Sequence, residues 1–193
     1  MDNNGTAKFE TKKFILCIFM VFVIGAMNSY TFFLRGETFA SIHTGNIMKA
    51  CFDIAEGKTD GLYKYFVPIA FFIGGIITHQ LLKDRKKGMI VCSVIVPLCY
   101  ITGVLIPFGF YDFLGNAFLA FGVGIQLQSL NKVNGVDITT TMCTGNIRSM
   151  TVKTVQYIKT KSRSDLMGIL TYASLVAAFT SGVLASALII KSI

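Results

Sequence analysis

The stretch FILCIFMVFVIGAMNSYTFFL, residues 14–34, contains no Asp, Glu, Lys or Arg over 21 positions. A helix of about 20 apolar residues crosses the hydrocarbon core of a bilayer, so this stretch predicts a first transmembrane helix. Four more charge-free stretches follow it: Tyr65–Leu82, Met89–Phe108, Phe113–Leu130 and Leu166–Ile190. Because the five make up more than half of the 193 residues, we predict an all-α fold, a polytopic helix bundle in the cell membrane.

The composition excludes several classes of protein. Hydrophobic residues make up 53% of the chain and charged residues 15%, whereas soluble domains carry about 25% charged residues. A soluble enzyme, a nucleic-acid-binding domain and a secreted disulfide scaffold are therefore excluded. We attribute the net charge of +8 to basic loops beside anionic lipid headgroups.

Cysteine and histidine content gives no sign of a cofactor. The five cysteines and two histidines lack the spacing of a metal site, and no catalytic or nucleotide-binding motif is present. We therefore expect no enzyme activity, no cofactor and no metal. The expected partners are the lipid bilayer and a small polar solute, without nucleic acid, and homo-oligomerisation is left open.

The chain matches itself at an offset of 100 residues. Thr44–Ile47 and Thr144–Ile147 are identical at all four positions. The same offset aligns further pairs, namely Asn28 with Gln128, Ser29 with Ser129, Glu37 with Asp137 and Ser41 with Thr141. We infer an internal duplication within a single transmembrane domain of residues 1–193, with repeat 1 at 14–82, a connecting span at 89–108 and repeat 2 at 113–190.

Each repeat contains a polar segment of about one span's length, at residues 38–56 and 138–158. The sequence Thr-Gly-Asn interrupts both segments. Thr and Asn are good N-cap residues and Gly permits unusual backbone angles. The pattern predicts a broken or re-entrant element in each repeat, with a short helix running onward from Ile47 and from Ile147.

Basic residues indicate whether these segments cross the membrane. If both cross, there are seven spans, and the two sides hold eight and seven Lys and Arg residues. If neither crosses, there are five spans, and the sides hold 13 and 5. The positive-inside rule favours the second arrangement, with a cytoplasmic N-terminus and inverted repeats, although six or seven spans remain alternatives.

The motifs resemble those of a known family. Gly25-Ala26-Met27-Asn28 and Thr44-Gly45-Asn46, followed by Gly124-Ile125-Gln126 and a Thr-rich stretch ending in Thr144-Gly145, resemble the YoaK-like family of small bacterial integral membrane proteins. Asn28 stands where an Asp is usual in that family. The resemblance implies a polytopic helical membrane protein and supplies no function, since the family is largely uncharacterised.

The two Thr-Gly-Asn segments are the best candidates for a solute site. Helix N-termini present unpaired backbone N–H groups and a partial positive charge, which suit an anion or the negative end of a dipole. The predicted substrate-binding residues are Asn28, His43, Thr44, Gly45, Asn46, Gln126, Gln128, Thr144, Gly145 and Asn146. Alternatively, these amides hold the bundle through interhelical hydrogen bonds and the motifs only cap helices.

Matched acids precede both polar segments. Glu37 and Asp137 are expected to form ion pairs with Arg35 and Arg148 respectively, because an unpaired buried charge is costly; binding of a coupling ion or substrate is the alternative. We predict a small-solute transporter or channel with a central site between the two Thr-Gly-Asn elements. The alternative is a non-transporting accessory or scaffold membrane protein.

Overall fold

The computed structural model describes residues 10–85 and 88–192, except for the side chain of Met89. The described part contains seven helices. They are α1 (Thr11–Leu34), α2 (His43–Ala55), α3 (Tyr63–Leu82), α4 (Gly88–Leu105), α5 (Asp112–Ser129), α6 (Cys143–Thr160) and α7 (Arg163–Ser192). A hairpin of two short strands, β1 (Lys132–Val133) and β2 (Val136–Asp137), lies between α5 and α6. The all-α class is confirmed, with this hairpin as an unpredicted addition.

Each of the five charge-free stretches corresponds to a helix in the structure, although α4 ends at Leu105 rather than Phe108 and α5 at Ser129 rather than Leu130. Three helices are long and apolar enough to cross a membrane, at Thr11–Leu34, Tyr63–Leu82 and Arg163–Ser192, and a shorter apolar helix occupies Ile90–Leu105. The N-terminal residues 1–9, which the charge count assigns to the cytoplasm, lie outside the described residues. Helix length and apolarity therefore support a membrane protein.

Helices α1 and α7 pack with their backbones in contact. A Cβ atom added at Gly25 would collide with the backbone oxygen of Phe179, and one added at Gly182 would collide with that of Phe22. Small residues allow such close approach between helices in lipid, where packing replaces the hydrophobic effect as the driving force. In each helix the glycine lies three positions after the phenylalanine, at Phe22 and Gly25 in α1 and at Phe179 and Gly182 in α7.

Helices α3 and α5 pack in the same manner. A Cβ atom at Gly75 would collide with the backbone oxygen of Phe121, and one at Gly124 with that of Phe72. All four crossing helices thus carry the sequence Phe-x-x-Gly at the crossing point.

Contacts at the helix ends give the direction of each helix. Asn134, in the hairpin, accepts a hydrogen bond from the backbone N–H of Glu10 and donates one to Thr171, so α1 and α7 begin at one end of the bundle. The rings of Tyr63 and Phe113 lie 5.0 Å apart near the beginnings of α3 and α5. Therefore α1 runs parallel to α7, and α3 runs parallel to α5.

Arg35 connects three helix ends and is completely buried. Its guanidinium donates to the backbone oxygens of Val104 at 3.0 Å and Ile106 at 2.6 Å, and lies 3.4 Å from the carboxylate of Asp112. The ends of α1 and α4 and the beginning of α5 therefore meet. We call this the distal end of the bundle, and the end where α1 and α7 begin the proximal end.

The prediction that Arg35 pairs with Glu37 is wrong. Arg35 pairs with Asp112, and Glu37 pairs instead with Lys49 at 2.9 Å. The physical reason is that Arg35 turns inward to the unpaired carbonyl groups at the end of α4, which attract a buried cation, while Glu37 stays exposed to solvent.

The predicted starts of the two short helices are also wrong. Helix α2 begins at His43 rather than Ile47, and α6 begins at Cys143 rather than Ile147. The Thr-Gly-Asn residues therefore lie within the first turn of each helix instead of capping it.

Candidate functional site

Two asparagines hold the loops that precede α2 and α6. The side chain of Asn46 accepts a hydrogen bond from the backbone N–H of Phe39 at 2.8 Å and donates one to its carbonyl oxygen at 2.8 Å. Asn146 makes the same pair of bonds to Thr139, at 3.1 and 2.7 Å. Each amide thus bonds to a backbone residue seven positions earlier. Each helix begins about one turn before its asparagine, and its N-cap residue has no capping side chain.

The two loops meet in the interior of the bundle. The hydroxyl of Ser41 donates to the backbone oxygen of Thr141 at 3.0 Å. Asn28 of α1 accepts from the backbone N–H of Ser41 at 3.1 Å and donates to its hydroxyl at 2.7 Å. All three residues are buried. We call Asn28, Ser41 and Thr141 the central polar junction.

Two buried hydroxyl groups, on residues next in sequence to Asn28 and Thr141, lack partners among the described residues. Neither the hydroxyl of Ser29 nor that of Thr140 has a hydrogen-bond partner among the described residues, and both residues are buried. An unsatisfied buried polar group costs about 1–3 kcal/mol. A polar solute or water within hydrogen-bond distance of these hydroxyls would remove this cost.

The first turns of α2 and α6 have no capping side chain. The N-cap residues Ile42 and Met142 provide no capping side chain, so the first backbone N–H groups of both helices keep their capacity to donate. Thr44 and Thr144 in these turns are exposed, as is Gly145, whereas Gly45 is half-buried.

His43 opens helix α2 and lies against an aromatic ring. Its imidazole is 4.3 Å from the ring of Phe72, centroid to centroid. Neither ring nitrogen has a hydrogen-bond partner in the described part of the chain. The imidazole of His43 therefore packs against Phe72, and both of its nitrogens lack a hydrogen-bond partner among the described residues.

The two predicted glutamines lie away from the junction. Gln126 is buried and accepts a hydrogen bond from the hydroxyl of Tyr100 at 2.7 Å. Gln128 is half-buried and accepts one from Gln80 of α3 at 3.2 Å. The structure thus brings Asn28, but neither glutamine, to the point where the loops meet.

Apart from the buried Arg35, the charged candidates lie on the outside. The hydrogen bond from Lys49 holds the pKa of Glu37 below its ordinary value. Asp137 and Arg148 are exposed, and neither forms an ion pair among the described residues. In the described ranges no group of three His, Cys, Asp or Glu side chains could hold a metal ion.

Both short helices are tied to the helix that follows them. On α2, Asp53 accepts from Tyr65 at 2.9 Å and lies 3.6 Å from Lys64 at the beginning of α3. On α6, Lys153 donates to Asp165 at 2.7 Å at the beginning of α7. Helix α2 therefore returns to the distal end and α6 to the proximal end. In the first contact the short helix carries the acid, Asp53, and in the second it carries the base, Lys153.

Sequence reasoning missed the hydroxyls around the junction. The alignment of Ser41 with Thr141 was the available signal, because a matched polar pair in apolar surroundings favours a shared role. The alignment of Ser29 with Ser129 was a further signal, whereas nothing in the sequence distinguished Thr140 from the neighbouring Thr139 and Thr141.

The fold and the site together define a helical, membrane-type protein with a polar junction inside it. The chain belongs to the family DUF1275, described as proteins of unknown function, whose family model matches residues 16–192. No curated protein and no solved structure matches the chain. The YoaK-like name and a bacterial origin stay predictions.

Proposed function

We propose that this protein is a small-solute membrane transporter or channel whose site lies at the central polar junction, between the two Thr-Gly-Asn elements. One observation carries the proposal. The loops before α2 and α6 meet through the buried bond between Ser41 and Thr141. The residues next to Asn28 and Thr141 in sequence, Ser29 and Thr140, carry buried hydroxyls without partners among the described residues. Irregular backbone at membrane depth is tolerated where it is buried in protein or lines a cavity.

We propose further that α1–α2–α3 and α5–α6–α7 are inverted repeats joined by α4. Three features support this arrangement. The crossing helices share Phe-x-x-Gly contacts, the short helices return to opposite ends of the bundle, and the positions in contact at the junction are 100 residues apart. In this arrangement α2 and α6 are re-entrant, one from each face of the membrane, as in transporters that bind solutes near the midplane.

The chemistry of the junction favours a neutral polar or anionic solute. The N-terminal ends of α2 and α6 contribute a partial positive potential, and the hydroxyls can donate as well as accept. The acidic side chains of Glu37 and Asp137 are exposed, so they leave this preference unchanged. Rocking of one repeat against the other would open the junction to each side in turn.

A valine substitution tests the site with little risk to the fold. Thr140→Val keeps the shape of the side chain and removes a hydroxyl that has no partner, so folding stability should hold or rise. Thr171→Val is the matched control, because Thr171 is also buried but accepts a hydrogen bond from Asn134 at 3.2 Å. Loss of this hydrogen bond in Thr171→Val should lower the free energy of unfolding by about 1 kcal/mol and leave solute binding intact.

The measurements are thermal shift of the purified protein against a metabolite library and uptake of each hit by proteoliposomes. We expect a solute that stabilises the wild type and the Thr171→Val variant but not Thr140→Val. A solute that stabilises all three proteins equally would move the site away from the junction.

A scaffold or accessory role is the second candidate. It is favoured by the hydrogen bonds of Asn46 and Asn146, which use these amides to hold backbone. The absence of any solute-dependent shift or uptake across the library, in a protein that melts cooperatively, would favour this role over transport.

A further inference from the structure

A cavity of about 310 Å³ lies between α1, α4 and α5, at the proximal end and away from the central polar junction. Its walls come from the first half of α1, the first three quarters of α4 and the last turns of α5. They are mainly apolar and include Leu16, Met20, Cys92, Val96, Pro97 and Leu130. The volume is at the lower end of the range typical of small-molecule sites.

One lining residue of this apolar cavity carries a buried polar atom without a partner among the described residues. Gln126 lines the cavity and is 2% exposed. Its side-chain oxygen accepts from the hydroxyl of Tyr100, which fixes the amide, and its Nε2 has no hydrogen-bond partner among the described residues. An amide N–H pair in an apolar wall selects a ligand that carries a hydrogen-bond acceptor, such as an ester carbonyl, on an apolar chain.

Two exposed lysines lie close in sequence to lining residues of the cavity, and one of them, Lys132, is opposite Asp137 in the hairpin. Lys12 precedes Leu16 by four residues on α1, so the two lie on one helix face. Lys132 follows Leu130 by two residues, and both lysines are exposed. Lysine side chains near the membrane surface attract anionic lipid headgroups, each by about 1 kcal/mol.

We infer that this cavity binds one anionic glycerophospholipid. One acyl chain lies against Leu16, Met20 and Val96, its ester carbonyl accepts from Gln126 Nε2, and its phosphate faces Lys12 and Lys132. The inference goes beyond transport, because it concerns a different cavity and does not depend on the central junction.

Native mass spectrometry of the detergent-purified full-length chain tests the inference. Dioleoyl phosphatidylglycerol is titrated against dioleoyl phosphatidylcholine, which has the same acyl chains and no net charge. We expect a one-to-one adduct that favours phosphatidylglycerol. Equal retention of the two lipids would overturn the anionic assignment, and equal retention of oleic acid methyl ester would show a site for free lipophiles instead.

Two pairs of variants locate the adduct. Gln126→Leu should weaken phosphatidylglycerol retention roughly three- to tenfold, the range of one hydrogen bond, while Gln80→Leu, an exposed glutamine on α3, should not. Val96→Phe fills the cavity and should remove the adduct, while Val94→Phe, on the exposed face of the same helix, should keep it.

A further variant tests the two lysines, and a melting curve guards against misfolding. Lys12→Gln with Lys132→Gln should reduce the preference for phosphatidylglycerol and leave phosphatidylcholine retention unchanged. Circular dichroism melting identifies any variant that has lost its fold. If Val96→Phe melts like the wild type and still retains phosphatidylglycerol, the lipid lies elsewhere and the inference fails.

Discussion

At the scale of single residues, the side chains of Asn46 and Asn146 each bond to both the backbone N–H and the carbonyl of one loop residue. Each amide satisfies both the N–H and the carbonyl of one loop residue, Phe39 or Thr139. Buried backbone polar groups must find partners, and here a side chain inside the following helix supplies them. The candidate ligand groups are then the hydroxyls and first-turn N–H groups rather than these amides.

We predict that Asn46→Leu destabilises the protein. The substitution leaves the N–H and carbonyl of Phe39 without their partner, and each unsatisfied group costs about 1–3 kcal/mol. The apparent melting temperature in detergent, followed by circular dichroism, should fall. Asn131→Leu is the control, because Asn131 is exposed, and it should melt like the wild type.

Equal melting of Asn46→Leu and wild type would contradict this prediction. It would mean that the amide is not needed to hold the loop, and would return Asn46 to the list of solute ligands.

Residue roles were the least predictable level. The amide of Asn46 bonds across seven residues and Arg35 pairs with Asp112 across 77, and neither distance has a fixed period in sequence. Apolarity is a local property, whereas the partner of a buried cation depends on which chain ends meet in the fold.

At the scale of elements, the Phe-x-x-Gly contacts suggest how the helices of the proposed repeats correspond. In that arrangement Gly25 of α1 would correspond to Gly124 of α5, 99 residues later, and Gly75 of α3 to Gly182 of α7, 107 residues later. The offset of 100 aligns α2 with α6, and it differs by one residue from the offset that these contacts give for α1 and α5. The proposed repeats therefore differ in the lengths of their elements, since α3 has 20 residues and α7 has 30.

We predict that Gly75→Ala destabilises the bundle and that Gly74→Ala does not. A Cβ at Gly75 would collide with the backbone of Phe121, whereas one at Gly74 would make ordinary contact with the ring of Phe121 at 3.5 Å. Forcing apart two helix backbones should cost about 1–3 kcal/mol. Reversible unfolding in mixed micelles measures the difference, and equal effects of the two alanines would argue against backbone contact at this crossing.

Long apolar elements were the most predictable level. The predicted span at residues 14–34 is α1 at Thr11–Leu34, and the span at 65–82 is α3 at Tyr63–Leu82, because the absence of charge over a membrane thickness leaves few alternatives. The hairpin was missed although Asn134-Gly135 is a common turn signal; both residues have positive φ, 52° and 78°, as this turn type requires.

At the scale of the whole molecule, the contacts and the charges bear on one question, the orientation in the membrane. The proximal end includes Arg85, which follows α3, and the distal end includes Lys58, which precedes it; both residues are exposed. The excess of basic residues predicts that the proximal end is cytoplasmic. An impermeant maleimide applied to intact cells should then label Lys58→Cys and spare Arg85→Cys, each in a background free of the five native cysteines.

Glu37 and Asp137 provide the sharpest test of inverted repeats. Glu37 follows α1, which runs towards the distal end, and Asp137 lies in the hairpin after α5, which runs towards the proximal end. Both side chains are exposed, so a cysteine at either position can react where reagent reaches it. Inverted repeats put equivalent positions on opposite faces of the membrane, whereas parallel repeats put them on the same face.

We predict that the impermeant reagent labels Glu37→Cys and not Asp137→Cys in intact cells, and that it labels both after the cells are opened. A permeant maleimide that labels both cysteines in intact cells is the control for reactivity. It shows that a difference in labelling by the impermeant reagent comes from its access and not from the local pKa or packing of the cysteine. Labelling of both positions in intact cells would require repeats of parallel orientation, and the reverse pattern would keep the inversion but turn the molecule over. In the reverse pattern the loops before α2 and α6 would still meet through Ser41 and Thr141, because that contact lies inside the bundle and is independent of which face is cytoplasmic.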